Sequence, residues 1–421
     1  MNQTITEKIL SNSVGHRVNV GDLIFPIPEL VTIHDWYVAN MDKALEEFGV
    51  SQLFMPENIV FVTDHEPVAV SPAAAERQKK VREIASKYKI EHFFDVGRGG
   101  HGHIFPVELG MIRPGMFVEG YDTHVTNFGA VGCLAFAVLT EVSELVALGS
   151  VWQIVPETVR IDVTGKLPKG VTIRDAAQKL LRVLDPEVID DTVVEFGGDA
   201  ISSLSIDARF TLCNTPTEIG ARSSIVEPDQ RVVDYLAPRT GHRINLLKSD
   251  ERAKYKHRIT FNLSDCEPQV AAPPRPDNVV EISVVAGTPI DHAYIGSCAS
   301  GLLDDLEVAA NILNKRTLHP RVRLFITPGT QEIFQQALER GFIEVFIKAG
   351  AVVTQPGCGV CAGGRVGPVA PGEISIGTGT RNDPGRLGSM DADLYIAGPS
   401  VVAASATMGV ITDPRFLGDP K

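Results

Sequence analysis

The chain has 421 residues, 44% hydrophobic and 22% charged, and its 39 basic and 52 acidic side chains give a formal charge of −13. That balance argues against a nucleic-acid partner, which needs clustered Lys and Arg, and the length predicts two or three lobes rather than one core. Six cysteines in so long a chain make no disulfide framework. No apolar run approaches the roughly 18 residues of a membrane helix, residues 1–8 carry no basic-then-apolar leader, and a cytoplasmic protein is expected.

In chain order, residues 6–10 predict an opening helix, and residues 23–26 and 30–33 are short apolar runs. Residues 42–48 are amphipathic and stop at Gly49, a fair helix terminator. Residues 58–62 form a β-branched run that reads as a buried strand. It delivers Asp64 and His65 at its C-terminal end, the end at which open α/β sheets bind ligands. Residues 72–88 predict a polar helix, and residues 92–96 a strand that runs into a glycine-rich turn holding His101 and His103. Residues 116–120 lead in the same way to Asp122, Thr123 and His124. Three apolar strands thus end in histidine-bearing turns, and the strand–turn–helix alternation predicts an α/β fold with a parallel sheet.

Residues 131–148 read as one apolar helix, 158–164 as a strand, and 173–184 as a helix with one apolar face. Around Thr215 the pattern fits an N-cap, with Pro216 at the first helical position and Glu218 completing a capping box. Residues 229–257 are charged and irregular, and 266–278 form a proline-rich connector where the main boundary is expected. Lobes one and two then occupy 1–278 and a third α/β lobe 279–421, with strands at 279–285, 293–295 and 322–326 and helices at 303–313 and 331–338.

Cys358 and Cys361 stand at C-x-x-C spacing in a glycine-rich loop, and Cys298 stands in a second Gly/Ser-rich turn. Two plus one thiolates in tight turns suggest a metal centre one cysteine short of a closed site. Such a site would keep one coordination position open for substrate. The rival reading is three small buried cysteines, and a structural zinc protein is a weaker one. For Asp64 and His65 taken alone, a strand-end turn with a surface histidine is the simpler reading.

Together these segments resemble the large subunit of isopropylmalate dehydratase and its aconitase and homoaconitase relatives. The likeness rests on residues 294–298, 356–361, 380–386, 267–278, 120–124 and 212–220, and on 402–406 with 411–414. It covers essentially the whole chain. It implies three aconitase-like α/β lobes with mostly parallel sheets around a 4Fe–4S cluster held by Cys298, Cys358 and Cys361. The swivelling lobe would be absent and supplied by a separate small subunit. Catalytic roles would fall to Asp64, His65, His103, Asp122, His124 and Glu218, with His101 the alternative to His103. Thr123, Asn214, Arg381 and Arg386 would contact substrate, the arginines through a planar fork suited to carboxylates.

The implied activity is dehydration and rehydration of a malate-type hydroxy di- or tricarboxylate, first of all isopropylmalate isomerisation in leucine biosynthesis. A homoaconitase-like or other substituted-malate dehydratase is the alternative. A non-catalytic iron-sensing protein is a reading of another class. The chain departs from the family in three places. Ala299-Ser300-Gly301 follows the first cysteine in place of Thr-Asn and a polar residue, Thr380 replaces a commoner Asn, and Trp36 puts a bulky ring after His34-Asp35. The departures leave the cysteine set intact and the exact substrate open.

Overall fold

A computed structural model describes residues 2–418. Over the described residues the chain forms two compact units, 2–163 with 186–261, and 164–185 with 262–418.

The first unit carries β1 (Leu23–Ile24), β2 (Leu30–His34), β3 (Ile59–Val62), β4 (His92–Phe94), β5 (Phe117–Gly120), β6 (Leu134–Ala137), β7 (Gln153–Ile154), β8 (Thr158–Thr164), β9 (Val193–Gly197), β10 (Ser223–Val226) and β11 (His257–Asn262). A five-stranded sheet runs β4-β3-β2-β5-β6 with every neighbour parallel. A four-stranded sheet runs β10-β9-β8-β11, and β1 pairs β7 as a short antiparallel ribbon. Strands β2, β3 and β5 are buried along their whole length, as parallel strands covered on both faces are. Helices Asp35–Glu47, Pro72–Lys87 and Val142–Leu148 cover one face around Val38, Met41, Leu45, Val81 and Leu145. The helix Pro72–Lys87 starts where it does because Ser71 accepts the Ala74 N–H at 3.2 Å and Pro72 needs no donor at its first position.

The expected helix over 131–148 is corrected. A 3-10 segment, Thr123–Val131, ends at Gly132 with φ 82°, then comes β6, then the helix Val142–Leu148. An apolar run too short for its period to be read looks alike as strand or helix.

The second unit carries β12 (Gln269–Ala271), β13 (Val279–Glu281), β14 (His292–Ile295), β15 (Arg323–Ile326), β16 (Val352–Val353), β17 (Ile374–Gly377) and β18 (Asp393–Ala397). They form one sheet in the order β13-β12-β18-β17-β14-β15-β16. The run from β18 to β16 is parallel, and β12 joins it antiparallel. The expected strand 279–285 is only its first three residues, for Ile282–Val285 is helical.

The units divide at Phe261/Asn262 rather than near residue 278, and 164–185 belong to the second unit as well. The reason is hydrogen bonding. The proline-rich segment is no free connector, because Val270 and Ala271 pair with Ala397 and Ile396. The helix Ile173–Val183 is tied to the same sheet by Gln178 Nε2 donating to Ile396 O at 2.8 Å and by Asp175 accepting the Gln269 N–H at 3.1 Å. Among the described residues no helix is long and apolar enough to cross a membrane.

Candidate active site

In the first unit the strands of one parallel sheet set the site, because their C-terminal ends all open on one edge. Strand β2 ends at His34, β3 delivers Asp64 and His65, β4 leads to His101 and His103, and β5 leads to Asp122 and His124. All five histidines are buried, so the simpler reading of His65 as a surface side chain is set aside. His65 Nδ1 lies 2.7 Å from Asp64 Oδ1, and Asp64 Oδ2 accepts the Gly102 N–H at 2.8 Å. One carboxylate, Asp35, accepts the backbone N–H groups of His65 and Glu66, each at 3.1 Å, and so fixes the turn. His34 stacks on His65 with ring centroids 3.9 Å apart, and Trp36 leans on it at 4.8 Å. His101 Nδ1 is 3.8 Å from Asp64 Oδ2, and its ring is 5.1 Å from that of His103. Both candidates for the second histidine therefore belong to one cluster.

The electrostatics set His65 apart. Burial opposes its charge, but the Asp64 carboxylate beside it, with Asp35 and Asp122 behind, lifts it to about 9. Burial keeps His34 and His101 neutral, down to about 3, and His103 neutral, down to about 4. Asp64 lies well below the carboxylate range despite burial, because His65 and His101 face it. Burial raises Asp35 to about 6. Of these four rings His65 alone is pushed towards the imidazolium, the separation of neighbouring groups that acid–base chemistry uses.

Asp122 takes φ 111°, a strained value for a residue with a Cβ, where β5 turns into the 3-10 segment. Its Oδ1 accepts the His124 N–H at 2.8 Å and the Thr123 hydroxyl at 3.4 Å. His124 Nδ1 lies 3.0 Å from the same oxygen, and its Nε2 lies 2.8 Å from Glu218 Oε1. The His65 Nε2 faces Asp122 Oδ2 at 4.0 Å, which links the two histidine groups. Asn214 donates to Asn127 Oδ1 at 2.9 Å. The expected capping box at Thr215 is corrected: the helix Ile206–Asn214 runs straight into the 3-10 turn Thr215–Ile219, Asn214 stands at the cap position, and no side chain caps it. A helix already under way leaves no free N–H groups for Thr215 to bond.

In the second unit the three cysteines follow the same rule. Cys298 lies just past β14, Cys358 and Cys361 past β16, and Thr380 to Arg386 past β17, all at the C-terminal edge of parallel strands. The turns are tight. Ser297 has φ 75° and Gly359 φ 62°, and a Cβ on Gly359 would fall 2.4 Å from Thr327 Oγ1. Tyr294 donates its hydroxyl to Cys358 O at 3.0 Å. Arg386 Nη2 donates to Cys361 Sγ at 3.5 Å. The Cys361 thiol is held far below its ordinary range by a hydrogen bond from Cys358, against burial, with Arg386 adding its charge. Burial pushes the three thiols outside this set the opposite way, Cys133 and Cys213 far up and Cys266 to about 11. Arg381 is exposed and Arg386 half-buried. Asn382 is occupied elsewhere, donating to Ala272 O and Leu394 O at 3.1 Å each.

Asp35 is the residue whose role the sequence did not disclose. Its signal was its place directly after β2, as Asp64 and Asp122 stand two residues past β3 and β5.

A model of the aconitase family (aconitate hydratase) matches residues 7–289 and 283–409. The 3-isopropylmalate dehydratase large subunit 1 of Methanopyrus kandleri is 38% identical over 416 residues, 99% of each chain. A probable methanogen homoaconitase large subunit of Methanothermobacter thermautotrophicus is 39% identical over 417 residues, 98% of this chain and 97% of its own. The 3-isopropylmalate dehydratase large subunit of Heliobacterium modesticaldum is 39% identical over 420 residues, 99% of each.

Proposed function

This chain belongs to the aconitase family, and from that premise we propose that it is the large subunit of a hydro-lyase acting on a malate-type hydroxy acid. The leading substrate is isopropylmalate, whose isomerisation would place the chain in leucine biosynthesis in the cytoplasm. The observation that carries the chemistry is the buried Asp64–His65 pair, in which the proton affinity of His65 is raised. An imidazolium held ready at a strand end can protonate a departing hydroxyl, so that water leaves instead of hydroxide.

The residues of the second unit fit an iron–sulfur cluster. Cys298, Cys358 and Cys361 are buried in backbone turns, and the Cys361 thiol is shifted down, towards the thiolate that ligates metals. Beside Cys298, the buried hydroxyl of Ser300 has no hydrogen-bond partner among the described residues. We assign a 4Fe–4S cluster to these three cysteines. When bound, such a cluster supplies a Lewis-acidic iron with an open position. Asp64 orients His65 and stabilises its charge. Asp122 and Glu218 hold the two nitrogens of His124 and fix its ring, while His101 and His103 remain neutral donors or acceptors. Thr123 and Asn214 offer polar contacts, and Arg381 and Arg386 offer planar forks to substrate carboxylates. No residue here is assigned to take the carbon-bound proton. We place that base on a small partner subunit carrying the swivelling lobe.

The homoaconitase named among the relatives keeps a second reading open, a carboxylate-extended substrate. Anaerobic co-purification with a small-subunit homologue tests the proposal. About three to four irons per chain with matching sulfide, lost in Cys358→Ser, and turnover only with both subunits are expected. Stoichiometric zinc without sulfide, or full turnover by the lone chain, overturns it.

A further inference from the structure

We propose that Trp36 is a specificity-determining residue that makes one wall of the substrate site apolar, so that the preferred hydroxy acid carries an uncharged alkyl substituent. The inference rests on the hydro-lyase reading. The helix Asp35–Glu47 starts directly after β2, which puts Trp36 in its first turn at the ligand edge of the sheet. Its ring centroid is 4.8 Å from His65 at 56° and 6.4 Å from His34, edge-on. Tyr121 meets His34 edge-on at 4.9 Å, and Tyr37 stacks on Tyr121 at 3.9 Å. Trp36, Tyr37 and Tyr121 are only half-buried, whereas His34 and His65 behind them are buried.

The proton donor is thus edged by an aromatic rim with surface left to cover. An alkyl branch covers an indole favourably, and each methylene a pocket recognises is worth about tenfold or more in selection. A carboxylate gains nothing there, because the face of an aromatic ring is its negative side. This rim favours alkyl malates over carboxyalkyl ones and so separates the two substrate readings.

The test uses the complex with its small subunit and a panel of malate, methylmalate, isopropylmalate, citrate and homocitrate. Trp36→Ala is expected to lower the kcat/KM ratio of isopropylmalate to malate by about tenfold or more, and Trp36→Phe to restore part of it. A uniform fall across all substrates would mean that Trp36 merely supports His65, and it overturns the proposal. The chain has two tryptophans, and Trp152 is an exposed one. The emission of Trp152→Phe minus that of Trp36→Phe with Trp152→Phe, in the same complex, therefore reads Trp36. A saturable change with isopropylmalate, larger than with malate, is expected, and unchanged emission under bound isopropylmalate overturns the contact. If the unmodified complex turns over none of the panel, the hydro-lyase reading falls and this inference with it. That outcome is distinct from turnover with unaltered selectivity.

Discussion

At the scale of single residues, His65 is defined by what surrounds it. Burial alone would drive its proton off, as it does for His34 and His101; Asp64 at 2.7 Å reverses the sign. The charged form therefore dominates below about 9 and is lost above it. In Asp64→Asn the countercharge is gone and burial decides, so the basic limb of kcat/KM should move to lower pH. The rate at its optimum should fall about 10²–10⁴-fold, the usual worth of a positioned acid. A pH–rate profile of variant against native complex checks both. Asp35 acts through the backbone instead, one oxygen accepting the Asp64 and His65 N–H groups and the other the Glu66 N–H. Asn retains one oxygen acceptor, so Asp35→Asn should loosen the turn and cost up to about 10²-fold in kcat. Unchanged kcat would show that the turn holds its shape without the second acceptor. The sequence marked Asp64 and His65 because they follow a legible strand. The function of Asp35 was hidden because its partners are N–H groups about 30 positions away, and no local pattern encodes those.

At the scale of elements, parallel strands carry the candidate site at their ends and bury ionisable side chains along their length, Glu119, Arg160 and Glu195 among them. Glu119 lies in β5, buried, with its Oε1 accepting from Gln153 Nε2 at 2.7 Å. Burial raises its carboxyl to about 8. The folded chain keeps this proton from about 4.5, the ordinary value, up to about 8, while the unfolded chain has already released it. The unfolded state binds fewer protons in that window, so stability should decline as pH rises through it. Glu119→Gln preserves the acceptor for Gln153 and removes the titration. Its urea midpoint should be flatter between pH 5 and 8 and higher than the native one at pH 8. The alternation of elements was readable, and the break at 131–148 was not. Gly132 in its left-handed turn lies against Pro228, a close approach that only the folded chain reveals.

At the scale of the whole molecule, the two units exchange segments of chain. The helix Ile173–Val183 lies far from residue 262 in sequence but bonds to the second unit's sheet through Asp175 and Gln178 and to the loop after β17 through Arg174. Residues 262–421 expressed alone should therefore aggregate, since they leave the apolar surface under that helix uncovered. The same fragment with 164–185 linked to it should be markedly more soluble. Equal solubility of the two, by size-exclusion recovery, would show that the helix is dispensable.

The sequence by itself determined the alternation of strands and helices, the family, the cysteine pair and the third cysteine upstream of it, and the carboxylate–histidine pair that follows β3. Each of those is written in neighbouring residues, as a period, a turn or a spacing. The tertiary structure alone decided which of His34, His65, His101 and His103 is pushed towards its charged form, because burial and a carboxylate pull oppositely and only distances settle the balance. It also decided that Glu218 serves His124 rather than a helix cap, and that the proline-rich segment joins a sheet, because both depend on partners more than 90 positions away.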